Sequence, residues 1–239
     1  MSRREFLLLL PAALPILNAC STVRLAGVEF EIIRRGRSNR RYLLIHGDEH
    51  TAREVLYEHM RSHSGVAHLV TGKTRNIPID GGEIDPNRLF SRVGAERNLR
   101  RLNPGWGRQQ IDSVLDRLDR ERPRLLQALL PPEGGIIIAL HNNQRGYSLY
   151  DELQISDDKA LNDPSHPNDF YLCTDRQDYQ RLAASPYNVL LQSTLPPEDD
   201  GSLSQLAIRL GIRYVNIEAA LGELRKQQAM LQWLERALP

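Results

Sequence analysis

The stretch Gly134-Gly135-Ile136-Ile137-Ile138-Ala139-Leu140-His141-Asn142-Asn143 decides the fold class of this 239-residue chain. Two glycines precede an unbroken run of apolar residues, most of them β-branched, which is typical of a strand buried on both faces. Such a strand needs a helical layer on each side of its sheet, so the stretch predicts an α/β protein. His141 follows the apolar run directly, at the strand end where α/β sheets present functional groups.

The rest of the chain alternates between short apolar segments and amphipathic ones. Strands are predicted over residues 28–33, 42–45, 66–70, 188–191 and 212–217, and helices over residues 50–63, 111–130, 202–210 and 221–238. We expect Pro123 to break or kink the second helix. Residues 156–187 are polar and contain prolines, which indicates a long loop region. The prediction is one three-layer α/β/α sandwich around a mixed, mostly parallel sheet, spanning residues 28–239.

The composition narrows the class of protein. Lys and Arg total 31 against 30 for Asp and Glu, and 41% of the residues are hydrophobic, as in ordinary globular proteins. The formal net charge of +1 gives no indication of a nucleic-acid partner. Two cysteines exclude a disulfide-rich scaffold. Nothing in the sequence indicates an obligate protein partner.

The N-terminus is typical of an export signal. Residues 1–19 begin Met-Ser-Arg-Arg-Glu-Phe, continue as an apolar run interrupted by two prolines, and end in small residues. The Arg-Arg pair resembles the bacterial twin-arginine signal, and Leu17-Asn18-Ala19-Cys20 resembles a lipidation motif. We therefore expect cleavage before Cys20, a lipid on Cys20, a tether over residues 20–27, and a protein anchored in the cell envelope and facing the periplasm. The alternative is an amphipathic N-terminal helix of the fold.

Polar side chains follow several of the predicted strands. Leu43-Leu44-Ile45-His46-Gly47-Asp48-Glu49 places a histidine and a glutamate three residues apart in the turn after a strand. Imidazole nitrogen and carboxylate oxygen are both zinc ligands, although His46 alone is equally compatible with an ordinary histidine at a strand end. His141 and Glu218 also stand at strand ends, where a shared sheet edge would bring them near His46.

Together with Asp85-Pro86-Asn87-Arg88, these motifs resemble the zinc carboxypeptidase superfamily, including its succinylglutamate desuccinylase and aspartoacylase branch. The resemblance covers about residues 42–225. It implies that His46, Glu49 and His141 hold one zinc ion.

The same resemblance implies roles for three further residues. Asn87 and Arg88 would bind a carboxylate of the substrate, and Glu218 would act as general base and then general acid. The family's oxyanion-stabilising arginine matches either Arg75 or Arg145. Its substrate-capping tyrosine has three candidates in the predicted loop region, namely Tyr171, Tyr179 and Tyr187.

The resemblance and the export signal together imply a zinc-dependent hydrolase of an amide bond next to a carboxylate. The expected enzyme is a cell-envelope carboxypeptidase or amidase acting on peptides or peptidoglycan stem peptides. One alternative is an acylamino-acid deacylase, and another is a non-catalytic lipoprotein that binds peptides. A serine hydrolase is a third, but its nucleophile motif is incomplete, since Gly146-Tyr147-Ser148-Leu149-Tyr150 lacks the second glycine.

Overall fold

The computed structural model describes residues 21–25, 27–143 and 146–239. The predictions for residues 1–19, Cys20 and Arg145 lie outside this range. The strands are β1 (Ser21–Leu25), β2 (Val28–Arg35), β3 (Arg40–Leu44), β4 (Gly65–Val70), β5 (Ile77–Ile79), β6 (Gly82–Ile84), β7 (Ile136–Asn143), β8 (Asp158–Ala160), β9 (Phe170–Cys173), β10 (Asn188–Leu191) and β11 (Arg213–Ala220). The helices are α1 (His50–Met60), α2 (Arg92–Leu102), α3 (Arg108–Leu129), α4 (Leu149–Glu152), α5 (Arg176–Leu182), α6 (Leu203–Leu210) and α7 (Leu224–Ala237).

Nine strands of the described chain form one mixed sheet in the order β1-β2-β4-β3-β7-β11-β9-β10-β8. The four central strands β4, β3, β7 and β11 are mutually parallel. Antiparallel strands extend the sheet on both sides, through β2 next to β4 and through β9 next to β11. Strands β5 and β6 form a separate hairpin.

Helices cover both faces of the sheet, which confirms the predicted three-layer sandwich. Alternate residues of β7 enter opposite cores, because successive side chains of a strand point to opposite faces. Ile136, Ile138 and Leu140 pack in the core under α1, α5 and α7. Ile137 and Ala139 pack in the core under α2, α3 and α6. His141 continues the alternation of Ile137 and Ala139, and it therefore faces the layer of α2, α3 and α6.

The region predicted as a long loop, residues 156–187, is instead partly regular. It contains β8, β9 and α5, and all four residues of β9 are buried. Strand β9 lies between β11 and β10, so both of its edges are hydrogen-bonded. A four-residue strand flanked by polar residues gives little periodic signal, and its structure depends on these two neighbours.

We expected Pro123 to break or kink this helix, and α3 continues through it without a break. Proline removes one intrahelical hydrogen bond. Leu118 and Leu125, on either side of it, are buried in the same core, and this packing outweighs the loss.

The segment predicted as a tether also forms regular structure, because Ser21–Leu25 pairs antiparallel with β2. Residues 21–25 therefore form the strand at one end of the large sheet. Within the described ranges, no helix combines the length and apolarity needed to span a bilayer.

Candidate metal centre

Three predicted ligands meet at the carboxyl end of the parallel strands. His46 follows β3, Glu49 precedes α1, and His141 lies in β7. His46 Nδ1 lies 2.8 Å from Glu49 Oε1, and His141 Nδ1 lies 3.3 Å from the same oxygen. One ligand atom from each residue fits within a 4.8 Å span, and all three side chains are buried.

The turn that carries two of these ligands is closely packed. A Cβ atom at Gly47 would lie 2.4 Å from the carbonyl oxygen of Gly72. Because the two backbone segments lie this close together, only glycine fits at position 47. The backbone N–H of Gly47 donates to the carbonyl of Thr74 at 3.0 Å, which fixes the turn against the loop after β4.

Asp85 orients the first histidine. Its Oδ1 lies 2.9 Å from His46 Nε2 and accepts a hydrogen bond from the backbone N–H of Asn87 at 2.8 Å. The side-chain oxygen of Asn98 in turn accepts from the backbone N–H of Asp85 at 2.9 Å. When a carboxylate accepts a hydrogen bond from one ring nitrogen of a histidine, it fixes the tautomer of the ring. The other ring nitrogen is then left to bind a metal. The position of Asp85 next to Asn87 and Arg88 in the sequence does not by itself indicate this contact with His46.

The electrostatics of the cluster favour a cation. Burial lowers the pKa of His46, but the charge of Glu49 and hydrogen bonds to Asp85 and Glu49 raise it to about 9. Burial raises the pKa of Glu49, but the neighbouring His141 and His46 lower it to about 2. Both values reflect a carboxylate that remains ionised while buried, which requires a nearby positive charge.

The cluster fits a divalent metal ion. Glu49 Oε2 is buried and lies 3.2 Å from His141 Nδ1, yet it makes no hydrogen bond. Two imidazoles and one carboxylate are a donor set of catalytic zinc sites that leaves a coordination position for water or substrate.

Glu218 lies beside the third ligand. It is the register partner of His141 on the adjacent parallel strand, and only 6% of it is exposed. Its oxygens accept hydrogen bonds from Asn216 Nδ2 at 3.0 Å and from Asn143 Nδ2 at 3.4 Å. Within the described residues it forms no ion pair, and burial raises its pKa. A buried carboxylate with a raised pKa is suited to accept and return a proton.

A cavity of about 430 Å³ opens over the cluster. Its floor includes Tyr214, Asn216 and Glu218, which alternate along one face of β11. The remaining lining residues are His46, Asp48, Glu49, Arg75, Asn87, Arg88, His141, Asn142, Asn143, Tyr147, Glu152, Ile155, Leu172, Gln192, Asp200, Ser202, Ser204 and Gln205. The cavity is therefore lined by all three predicted metal ligands, by the predicted carboxylate-binding pair, and by Arg75 and Glu218.

The predicted carboxylate-binding pair lines this cavity, but Arg88 already has an acidic neighbour. Arg88 Nη1 donates to Asp200 Oδ2 at 2.8 Å. Asn87 Oδ1 accepts from the backbone N–H of Leu203 at 3.1 Å, so its Nδ2 is the group left to donate. The pairing with Asp200 joins residues 112 positions apart, and no local pattern in the sequence indicates it.

Arg75, one of the two oxyanion candidates, lies at the edge of the metal cluster. Its Nη1 is 3.5 Å from Glu49 Oε1 and its Nη2 is 3.8 Å from Asp85 Oδ2. Half of its side chain is exposed, so the guanidinium lies between the cluster and solvent.

The three tyrosines named as candidates for capping the substrate do not line the cavity. Tyr171 is buried in the opposite core, where its hydroxyl donates to the carbonyl of Met230 at 2.7 Å. Tyr179 and Tyr187 pack in that same core. Tyr147 and Tyr214 line the cavity instead. Tyr214 lies on β11 and Tyr147 lies in the segment before α4, so their place in the cavity depends on tertiary contacts that no local sequence pattern indicates.

The incomplete serine-nucleophile motif has a structural role. Ser148 caps α4, where its hydroxyl accepts from the backbone N–H of Tyr150 at 3.3 Å and its own N–H donates to Asp151 at 2.7 Å. Ser148 is absent from the lining of the cavity. The structure therefore gives no support to a serine hydrolase.

Comparison with known proteins finds remote structural similarity. No protein-family model matches the sequence, and neither does any curated protein. Similar solved structures include the ectoine utilization protein EutE (DoeB) from Ruegeria pomeroyi, with 14% identity, a TM-score of 0.45, and coverage of 87% of this chain and 60% of that one.

Two others are a succinylglutamate desuccinylase/aspartoacylase from Rhodobacter sphaeroides (14% identity, TM-score 0.44, coverage of 87% and 58%) and an aspartoacylase family protein from Mesorhizobium loti (19% identity, TM-score 0.44, coverage of 88% and 61%). The chain thus spans about three fifths of the length of these proteins.

Proposed function

We propose that this protein is a zinc-dependent hydrolase that cleaves an amide bond next to a carboxylate, as a carboxypeptidase or amidase. The observation that carries the proposal is the convergence of His46, Glu49 and His141, with Glu218 buried beside them at the floor of one cavity. Such a grouping of two imidazoles, a ligating carboxylate and a separate buried acid matches the needs of metal-assisted hydrolysis.

The residues divide the chemistry between them. A zinc ion held by His46, Glu49 and His141 would acidify a water molecule and polarise the scissile carbonyl. Glu218 would take a proton from the attacking water and pass it to the leaving amine, in the roles of general base and then general acid. The guanidinium of Arg75 lies beside Glu49, where it would stabilise the negative charge that develops on the carbonyl oxygen.

The substrate's carboxylate would bind on the α6 side of the cavity. Arg88 offers its remaining N–H groups, and Asn87 offers Nδ2, because its Oδ1 is engaged by Leu203. A planar guanidinium suits a carboxylate, and Asp200 fixes the orientation of that guanidinium.

We also propose that the enzyme works in the bacterial cell envelope on peptides or peptidoglycan fragments. The support for this setting is the sequence of residues 1–20 alone, with the candidate lipidation site at Cys20.

The test compares the zinc-loaded protein with its Glu218→Gln variant on peptides that end in a free carboxylate. We expect the variant to keep its metal and to lose about 10²- to 10⁴-fold in kcat, because it cannot carry the proton. Glu54→Gln, at an exposed glutamate of α1, is the matched control. Turnover that persists in Glu218→Gln or after complete chelation of the metal would contradict the proposal. A protein that binds zinc and peptide without any turnover would be a binding protein.

A further inference from the structure

The cavity contains a second polar region away from the metal ligands. We call it the acceptor recess and define it by Glu152, Gln192, Asn216 and Tyr147, all of which line the cavity. Gln192 directly follows β10, and Asn216 lies on β11, with β9 between the two strands. The recess therefore lies over the half of the sheet that the metal ligands do not use.

Glu152 carries a negative charge that the described residues leave uncompensated. Its Oε1 accepts a hydrogen bond from the Tyr147 hydroxyl at 2.8 Å, and its Oε2 accepts one from Gln192 Nε2 at 2.7 Å. Both donors are neutral, and no ion pair joins Glu152 to a basic side chain within the described part of the chain. Each carboxylate oxygen can accept a second hydrogen bond, so both remain available to a ligand.

The side chain of Asn216 adds a second acceptor to the recess. Its Nδ2 donates to Glu218, which fixes the orientation of the amide. Its Oδ1 is buried without a hydrogen-bond partner, although Asn216 lines the cavity and is only 9% exposed. A buried acceptor without a partner is costly, and a donor on a bound ligand would remove that cost.

The charged side chains around the whole cavity are mostly acidic, which also favours a cationic ligand. Carboxylates outnumber guanidinium groups by five to two among its lining residues. Arg88 is already paired with Asp200, and Arg75 lies beside Glu49 and Asp85, so neither serves Glu152. The pKa of Tyr214 on the floor is raised by burial and then by the surrounding carboxylates, Glu152 among them. The recess is thus an anionic, acceptor-rich part of the cavity.

We propose that the acceptor recess binds a protonated amine of the substrate, so that the enzyme selects amides of residues with a basic side chain, such as lysine, ornithine or another diamino acid. The proposal rests on the proposed function, since it names the substrate class of the same cavity. Glu152 supplies the charge, and Asn216 Oδ1 supplies a further acceptor for the N–H groups of the cation.

The test measures the binding of matched peptides to the zinc-loaded Glu218→Gln protein by calorimetry, where turnover does not interfere. Acetyl-alanyl-lysine is compared with acetyl-alanyl-norleucine, and acetyl-lysyl-alanine with acetyl-norleucyl-alanine, so that the amine is placed on either side of the scissile bond. We expect the lysine peptide of at least one pair to bind about ten- to a hundredfold more tightly. Adding Glu152→Gln should remove most of that preference, whereas adding the control substitution Glu54→Gln should retain it.

Equal affinity for lysine and norleucine in both pairs, or a preference that survives Glu152→Gln, would overturn the inference. Failure of the proposed function gives a different result, namely no turnover of any of the four peptides by the unsubstituted zinc-loaded protein. A lysine preference that depends on Glu152 would then still establish the recess as a cation-binding site.

Discussion

Two buried histidines of this protein have opposite electrostatic surroundings. His46 lies between the carboxylates of Glu49 and Asp85, which raise its pKa. His68, in β4, packs edge-to-face against Phe30. Burial, followed by the charges of Arg41 and Arg34, lowers the pKa of His68 to about 4. The first environment suits a ligand of a cation, and the second suits a neutral residue of the core.

We expect Asp85 to act on a bound metal through His46, so its removal should weaken metal binding without removing a ligand. We expect Asp85→Asn to lower the affinity for zinc by about 10- to 100-fold, because the amide keeps an acceptor for His46 but loses the charge. The measurement is a competition titration with a chelator of known affinity. Asp112→Asn, at a half-exposed aspartate of α3 far from the cavity, should leave the affinity unchanged, and equal affinities in all three proteins would refute the role of Asp85.

His68 should make the protein less stable in acid. The unfolded chain binds a proton at this residue near pH 6.5, whereas the folded protein does so only near pH 4. Between these values the unfolded state holds more protons, so stability falls as the pH falls from about 6.5 to about 4. His68→Leu removes the titrating group, and the variant should gain up to about 3 kcal/mol relative to the unsubstituted protein across that interval.

The measurement for His68 is the free energy of urea unfolding of both proteins at several values between pH 7 and pH 4. Other groups that titrate in this range are common to both proteins, and the difference between the two isolates His68. A difference that stays constant with pH would show that His68 does not couple protonation to folding.

At the level of elements, α2 and the loop before α6 approach each other unusually closely. A Cβ atom at Gly94 would lie 2.2 Å from the backbone nitrogen of Gly201 and 2.4 Å from the carbonyl carbon of Asp200. All of these neighbours are backbone atoms, which cannot move aside as a flexible side chain would. The same loop carries Asp200 to Arg88, so this contact also positions one wall of the cavity.

Gly94→Ala should therefore destabilise the protein by about 1–3 kcal/mol, the usual cost of overpacking. Gly105→Ala is a matched control, because a Cβ atom there meets nothing within 4 Å. Thermal unfolding of both variants checks the prediction. Similar melting temperatures for Gly94→Ala and the unsubstituted protein would show that the loop moves away at little cost.

The elements that the sequence predicted well are those whose pattern is local. Strand β7 begins with an unbroken apolar run. Helix α6 is preceded by Ser202, whose hydroxyl caps it, and is followed by Gly211 in a left-handed conformation. Strand β9 was missed because its four residues become a strand only between β10 and β11. Local chemistry thus defined most elements, and tertiary contacts defined the remainder.

At the scale of the whole molecule, the sheet brings together residues that are distant in sequence. Glu49 and His141 are 92 positions apart, yet they meet because β3 and β7 are parallel neighbours. The sequence could predict these residues as site candidates, since each follows an apolar segment at the carboxyl end of a predicted strand. It could not predict Asp200 beside Arg88 or Glu152 in the acceptor recess, because their roles depend on long-range pairings.

The most direct measurement of the central claim is the zinc content of the purified protein after metal loading and dialysis. We expect one zinc ion per chain in the unsubstituted protein, in Glu218→Gln and in the control His166→Ala, an exposed histidine outside the cavity. We expect His46→Ala and His141→Ala to lose the ion. An unsubstituted protein without bound zinc, or one bound ion in both histidine variants, would contradict this claim.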